Sequence, residues 1–545
     1  MVAEKSPVKK IWMLSREYGS LAGAGGVKDV VYQLSKSLAR WSGRSVHVVL
    51  PLYGFMSPAS HGFKPLRDPV LPEQKLQFAV EMNLPDEQVQ EQVSFYYAKL
   101  ERVNVYLVDA ERFLEKKSVY TYTKKEEADK SWQVASTGHH DYFAMNLLLQ
   151  KSALELMVIL GEKPDVIHCH DGHTALAPAL IRQLAGYSAF FRGTGCLTTI
   201  HNAGYGYHQE IADIPYALSI TGLPQETIAN NQLENKFDPL LVAGAFGLLN
   251  TVSENYAAEL QSSEHDQLTG WLGHELRRRG ILLEGITNGI DPADFCPMAE
   301  KIPPKYRFDP CDKSDSLSGK KRCKQSFLSK LTEDSPWSGI EQFGFLDAEG
   351  DGPLFTFIGR LSGQKGVDIL LEVLPVFLSQ NSGVKVAILG SGEAEIESSL
   401  IHLAGKESFP GRVCYLKGYN PQVADEVYCA GDYFVIPSRF EPCGLTDFIA
   451  QLYGNIPIVH HVGGLVKVVD GETGLAYGGS DPGELLHALS RAMVLEKDPF
   501  RKRSIQENAV VTIEKKYTWS KVMYSYLELY KRSYVRQLEN LNVSV

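Results

Sequence analysis

Ile11-Trp12-Met13-Leu14-Ser15 is followed by a glycine loop over 19–26 and then by Val27, Val30, Val31, Leu34 and Leu38. A short apolar run, a glycine turn and apolar residues at helical spacing read as strand, loop and helix. Residues 46–50 supply the next strand, and Pro51 closes it. Strand–loop–helix–strand is the βαβ unit of a parallel sheet.

The unit repeats outward from there. Residues 103–108 read as a strand, 142–160 as a long helix, and 166–169 as a strand ending in His170-Asp171. A helix is predicted over 175–184, then a strand over 196–200 ending in His201-Asn202. Residues 248–252 end in Ser253, and 281–286 lead into Asn288-Gly289-Ile290-Asp291. Residues 303–350 are rich in Lys, Asp, Ser and Pro, with one helix expected over 321–331. They read as the start of a second domain plus a surface insertion. A second βαβ series follows: strands at 354–358, 384–389, 413–416, 433–436 and 456–460, with a helix at 367–378. From Pro499 onward the chain reads as helical, with Trp519, Val522, Tyr526, Leu529 and Tyr530 as its apolar stripe. Both halves are therefore expected to be doubly wound α/β sheets, whose ligand edge lies at the C-terminal ends of the strands.

Composition sets outer bounds. The chain has 545 residues, 44% hydrophobic and 22% charged, which excludes wholesale disorder. Its 55 basic and 65 acidic residues give a net charge of −10, the wrong sign for a nucleic-acid binder. An anionic substrate would need a local basic pocket. The eight cysteines include no C-x-x-C pair, which argues against a zinc ribbon or disulfide scaffold and fits reduced cytosolic thiols. Residues 1–10 are polar and lysine-rich, without an apolar signal region, and the longest apolar stretch, 240–249, is too short to span a bilayer.

The loops carry the chemistry. Gly23, Gly25 and Gly26 before a helix suit a phosphate, although a tight turn without ligand explains the loop taken alone. NAD binding is disfavoured, because the G-x-G-x-x-G spacing is incomplete and Leu50-Pro51-Leu52 replaces the ribose-binding acid. His168-Cys169-His170-Asp171 has a metal-like spacing, but no second ligand cluster follows, so the non-metal reading is preferred, with one histidine packed. Arg360 and Lys365, bracketed by glycines after a strand, suit a diphosphate; a solvated surface loop is the alternative. In Pro437-Ser438-Arg439-Phe440-Glu441-Pro442-Cys443-Gly444-Leu445-Thr446, strand meets helix, so Gly444, Leu445 and Thr446 offer N–H groups to an anion beside Glu441. Taken alone, Cys443 reads as a packed thiol.

Together these loops resemble the starch synthase and bacterial glycogen synthase family of retaining glucosyltransferases, over about 11–530. The pieces are Gly25-Gly26-Val27-Lys28-Asp29-Val30, His168-Cys169-His170-Asp171, Thr199-Ile200-His201-Asn202, Thr251-Val252-Ser253 and Asn288-Gly289-Ile290-Asp291. Gly359-Arg360-Leu361, Gln364-Lys365-Gly366, the 437–446 string and Gly463-Gly464-Leu465 complete the set. The resemblance implies a GT-B fold, two Rossmann-like domains facing across a deep cleft. The expected divisions are an acceptor-side domain over 1–297, a nucleotide-sugar domain over 298–515, and a returning helix over 516–545.

By the same resemblance, Arg360 and Lys365 neutralise a donor diphosphate. Gly444, Leu445 and Thr446 cradle it, with Cys443 beside them, and Tyr419 stacks on the base. Glu441 binds glucose hydroxyls and steadies the anomeric carbon, His201 hydrogen-bonds the sugar, and Asp171 is a polar contact in the same pocket. Gly25 and Gly26 join the donor set. The implied activity is transfer of glucose from ADP-glucose to the non-reducing 4-hydroxyl of an α-1,4-glucan, with retention and with neither metal nor cofactor. UDP-glucose as donor, another acceptor, and an impaired glucan- or nucleotide-binding paralogue stay open; no nucleic-acid or membrane partner is expected. The resemblance fits a cytoplasmic, bacterial-type enzyme, and a plastid chain trimmed of a transit peptide reads the same. Two motifs depart from the family. Its loop reads Lys-x-Gly-Gly-Leu-Gly-Asp-Val, whereas Gly23 here replaces the lysine and Lys28 replaces a later glycine. The Gly-Gly-Leu motif is followed by Val466-Lys467, where the family more often has an acid.

Overall fold

The apolar runs pair as parallel strands because their flanking helices cover both faces of the sheet. A computed structural model describes residues 7–300, 302–332, 337–479 and 481–543. Of the lysine-rich opening, residues 1–6 lie outside that set. The chain forms two compact units, Met1–Gly289 with Trp519–Val545, and Ile290–Thr518. The changes of unit fall at 289/290 and 518/519, against the expected 297/298 and 515/516.

In the first unit the longer parallel strands, beyond which Glu284–Gly285 adds a short one beside β6, are β1 (Lys10–Leu14), β2 (Ser45–Pro51), β3 (Val103–Asp109), β4 (Val166–His170), β5 (Gly195–Ile200) and β6 (Leu248–Thr251). They lie in the order β3-β2-β1-β4-β5-β6. Ile11 faces Val46 on one side and Val166 on the other. Helix α1 (Val27–Trp41) buries Val30, Val31, Leu34 and Leu38, the residues at helical spacing. Helix α2 (Tyr142–Ile159) is buried nearly all round, as an interior helix must be.

The second unit repeats the plan with β7 (Leu354–Ile358), β8 (Lys385–Gly390), β9 (Arg412–Lys417), β10 (Tyr433–Ile436), β11 (Ile456–His460) and β12 (Leu475–Tyr477). Their order is β9-β8-β7-β10-β11-β12, the same winding as in the first unit. Helix α3 (Val367–Gln380) follows β7, and the short α4 (Thr446–Leu452) follows β10.

Each sheet reverses its winding between its first and fourth strands, and a doubly wound sheet binds its ligand at that switch point. The glycine loop and His170-Asp171 leave the switch of the first unit. Arg360 and the 437–446 loop leave that of the second.

Two expectations need correction. The segment read as a surface insertion contains the strand Glu341–Leu346, antiparallel to β9. Gly344, at φ +71°, and the polar Glu341-Gln342 break the alternation that marks a strand. The C-terminal helix is not continuous. Pro499–Thr512 ends in a wide turn over Ile513–Tyr517, and α5 (Trp519–Val543) packs on the first unit. There Trp519 donates to Gln33 at 2.6 Å and the Ser533 hydroxyl to the Cys196 carbonyl at 2.7 Å.

Candidate active site

At the switch point of the first unit, three histidines meet. His170 Nδ1 lies 2.9 Å from His201 Nε2, so one imidazole donates to the other. His168 is fully buried, bonded to Thr199 at 2.7 Å and to the Tyr530 hydroxyl at 2.8 Å. It is the packed histidine. Burial pushes His168 and His201 down to about 3, and holds His170 well below the ordinary imidazole range. All three are neutral at pH 7. Among the described residues no group of three or more His, Cys, Asp or Glu is placed to hold a metal.

Asp171 adopts φ +56°, uncommon for a non-glycine residue. That turn brings its Oδ1 to the N–H groups of His201 at 2.6 Å and Asn202 at 3.3 Å. It thereby ties the end of β4 to the end of β5. Burial pushes the Asp171 carboxyl up to about 8, although both backbone donors pull the other way.

The glycine loop differs from expectation. Glu17, a buried residue that sequence reasoning passed over, accepts from the N–H groups of Ala24 at 2.8 Å and Gly25 at 3.2 Å. The Tyr120 hydroxyl donates to its other oxygen. The Gly25 N–H expected to face a phosphate is therefore held by a carboxylate inside the unit. A carboxylate three residues past a strand, ahead of a glycine loop, was the available signal.

In the second unit, the predicted loops converge. The Arg439 N–H donates to Gln364 O at 2.9 Å, and its guanidinium grips Asp368 at 2.6 and 2.7 Å, which fixes the 437–446 loop against the 359–366 loop. Lys365 and Glu441 come together, Nζ to Oε2 at 2.5 Å, and the Ser438 hydroxyl donates to the same oxygen at 3.0 Å. Glu441 is thus held in one orientation by two donors. Arg360 is exposed, with no hydrogen-bond or ion-pair partner among the described residues. Tyr419 is 68% exposed at the end of β9, so a ring face is open. Cys443 is buried, as its reading as a packed thiol required.

Gly444 takes φ +74° and Leu445 φ −112°, ψ −25°. A left-handed residue followed by a right-handed one makes successive N–H groups converge on an anion. Among the described residues the N–H groups of Gly444 and Leu445 have no protein acceptor. The Gly463-Gly464 turn supports this loop from below, with the Gly464 N–H donating to Glu441 O at 2.9 Å.

The starch synthase catalytic domain family matches residues 10–274, and glycosyl transferases group 1 matches 352–494. Against glycogen synthase 2 of Geobacter sulfurreducens the chain is 31% identical over 465 residues, 84% of each chain. The chain belongs to the starch synthase and bacterial glycogen synthase family. Glycogen synthase 1 of the same organism is 32% identical, over 84% of this chain and 82% of its own. A solved structure, the catalytic domain of starch synthase IV from Arabidopsis thaliana bound to ADP and acarbose, aligns with a TM-score of 0.74 and 24% identity. It covers 97% of this chain and 100% of its own. That likeness fixes the fold as GT-B, with two Rossmann-like domains, and the family is one of glycosyltransferases. Among the described residues no helix is long and apolar enough to cross a membrane.

Family membership gives the Gly23 departure a geometry. A Cβ on Gly23 would lie 2.3 Å from Lys28 Cδ and 2.7 Å from Lys28 Cβ. The stem of Lys28 therefore fills the space where a side chain at 23 would begin. Its ammonium has no hydrogen-bond or ion-pair partner among the described residues.

Proposed function

We propose that this chain elongates α-1,4-glucans, transferring glucose from ADP-glucose to a non-reducing 4-hydroxyl with retention of configuration. The carrying observation is Glu441, oriented by Lys365 and Ser438 beside the open N–H groups of Gly444 and Leu445. A sugar-binding carboxylate next to a diphosphate cradle is what transfer from a nucleotide-sugar needs. The ADP and acarbose held by the starch synthase IV structure support the ligand classes.

On this reading, Arg360 and the Gly444, Leu445 and Thr446 donors bind the diphosphate, and Tyr419 stacks on the base. Lys365 donates one proton to Glu441 and keeps two for phosphate oxygens. As the diphosphate departs, these groups stabilise its charge without a metal. The acceptor hydroxyl attacks on the face the diphosphate leaves and passes its proton to the departing phosphate oxygen, and Glu441 steadies the positive anomeric carbon. Neutral His201 hydrogen-bonds the sugar, and Asp171 holds the His201 backbone in place. Lys28 acts on the donor phosphate in place of the family lysine.

One observation favours a second reading, an impaired paralogue that binds without turnover: Gly23 lacks the family ammonium. The test mixes the pure protein with malto-oligosaccharide and either ADP-glucose or UDP-glucose, with chelator present, and follows nucleotide release and chain extension. Extension with ADP-glucose supports the first reading. Extension only with UDP-glucose moves the donor assignment, loss to chelator revives a metal, and no extension with either donor refutes synthesis.

A further inference from the structure

Lys467 stands where the family more often has an acid, and its side chain is 4% exposed. Its ammonium lies beneath the 443–446 loop. It donates to the carbonyls of Cys443, of Gly444 at 2.9 Å and of Gly464 at 3.1 Å. An ammonium has three protons, and these three carbonyls engage all of them. The fully buried carboxylate of Asp447, the second residue of α4, lies 3.1 Å from the same nitrogen and balances its charge. The ring of Phe448 closes over the ammonium at 4.6 Å.

The loop has no cis peptide bond. A trans peptide directs its C=O and N–H to opposite sides. A carbonyl of Cys443 turned down to Lys467 therefore turns the Gly444 N–H up, and a carbonyl of Gly444 turned down does the same for Leu445. These are the two N–H groups without a protein acceptor among the described residues. The positive φ of Gly444 lets two successive carbonyls face one cation.

We propose that Lys467, neutralised by Asp447, is a positioning residue that holds the 443–446 loop in its anion-binding form, so that the Gly444 and Leu445 N–H groups meet the donor diphosphate. This rests on the donor reading above. The lysine acts through the peptide dipoles rather than on the nucleotide itself.

The test is calorimetric titration of the whole chain with ADP, for the wild type, Lys467→Met and Lys467→Met/Asp447→Asn, with malto-oligosaccharide affinity measured alongside. ADP binding should weaken at least about tenfold in both variants, while glucan affinity stays constant and the KM for ADP-glucose rises more than kcat falls. The double variant leaves no unpaired buried charge and serves if the single one does not fold. On the wild type alone, ADP should slow amide hydrogen exchange at Gly444 and Leu445. Wild-type ADP affinity in a folded variant, an equal loss of ADP and glucan binding, or unaltered exchange at both amides overturns the positioning role. A wild type that fails to bind ADP overturns the donor reading, and this role with it.

Discussion

Replacing Lys28 by alanine removes the ammonium that we assign to the family lysine's task, and the strength of one charge-assisted hydrogen bond sets the expected size of the loss. A charge-assisted hydrogen bond contributes about 1.5–3 kcal/mol, and each 1.4 kcal/mol is about tenfold, so kcat/KM for ADP-glucose should fall about 10- to 100-fold. Lys28→Met keeps the stem over Gly23 and should lose as much, which separates charge from packing. Gly23→Lys alone should not add a second useful ammonium. Its Cβ would lie 2.3 Å from Lys28 Cδ, more than about 1 Å inside ordinary carbon contact, so one side chain must displace the other. The exchange Gly23→Lys/Lys28→Gly restores the family arrangement and should recover most of the activity lost in Lys28→Ala. That result would make the two positions strongly non-additive. The assay is initial ADP release over a range of ADP-glucose at saturating malto-oligosaccharide. Unchanged donor affinity and turnover in Lys28→Ala would refute the assignment.

Glu441→Gln and Arg360→Ala should each abolish most turnover in the same assay; a variant retaining more than about a tenth of wild-type kcat/KM contradicts its role. Asp171→Asn keeps an oxygen for the His201 and Asn202 N–H groups and should stay folded, whereas Asp171→Ala leaves both buried donors unpaired and should destabilise by about 1–3 kcal/mol, read by urea unfolding. Burial would lower His208, but Asp238, at 2.7 Å, raises it from 6.5 to about 9. The stabilisation from that pair is complete below pH 6.5 and disappears as pH rises through about 9, so His208→Gln should cost on the order of 3 kcal/mol near neutrality and little at pH 10. A difference between wild type and variant that is flat from pH 6 to about 10 would count against the pair.

The parallel strands of both sheets were legible in the sequence, and the antiparallel ones were not. Leu354–Ile358, Tyr433–Ile436 and Ile456–His460 stand in the structure with the bounds their apolar runs suggest, because a strand covered on both faces needs no alternation. Glu341–Leu346 and Gln90–Leu100 pair antiparallel to their neighbours, the first at the sheet edge and the second inside the sheet, and their polar and glycine positions give a pattern that resembles loop. In the candidate site, residue types and their places after strands could be read, but partners could not. Nothing local says that Lys365 meets Glu441, 76 residues on, or that Glu17 reaches back over its own loop. Lys467 was visible only as a departure. Its role follows from three carbonyls that the fold brings together.

The return of α5 bears on synthesis of the chain. The second unit is continuous in sequence and can fold once it has left the ribosome. The first unit begins earlier and finishes last, because Trp519–Val543 supplies the Tyr530 hydroxyl to His168 and the Ser533 hydroxyl to Cys196. Until then β4 and β5 lack those partners, and His168 lacks the acceptor's companion that fixes its ring. A nascent chain stopped before residue 519 thus carries a complete second unit and an unfinished first unit. Release of the last segment adds the Tyr530 hydroxyl to a histidine cluster whose other contacts, His170 to His201 and His168 to Thr199, come from β4, β5 and the loop after β5.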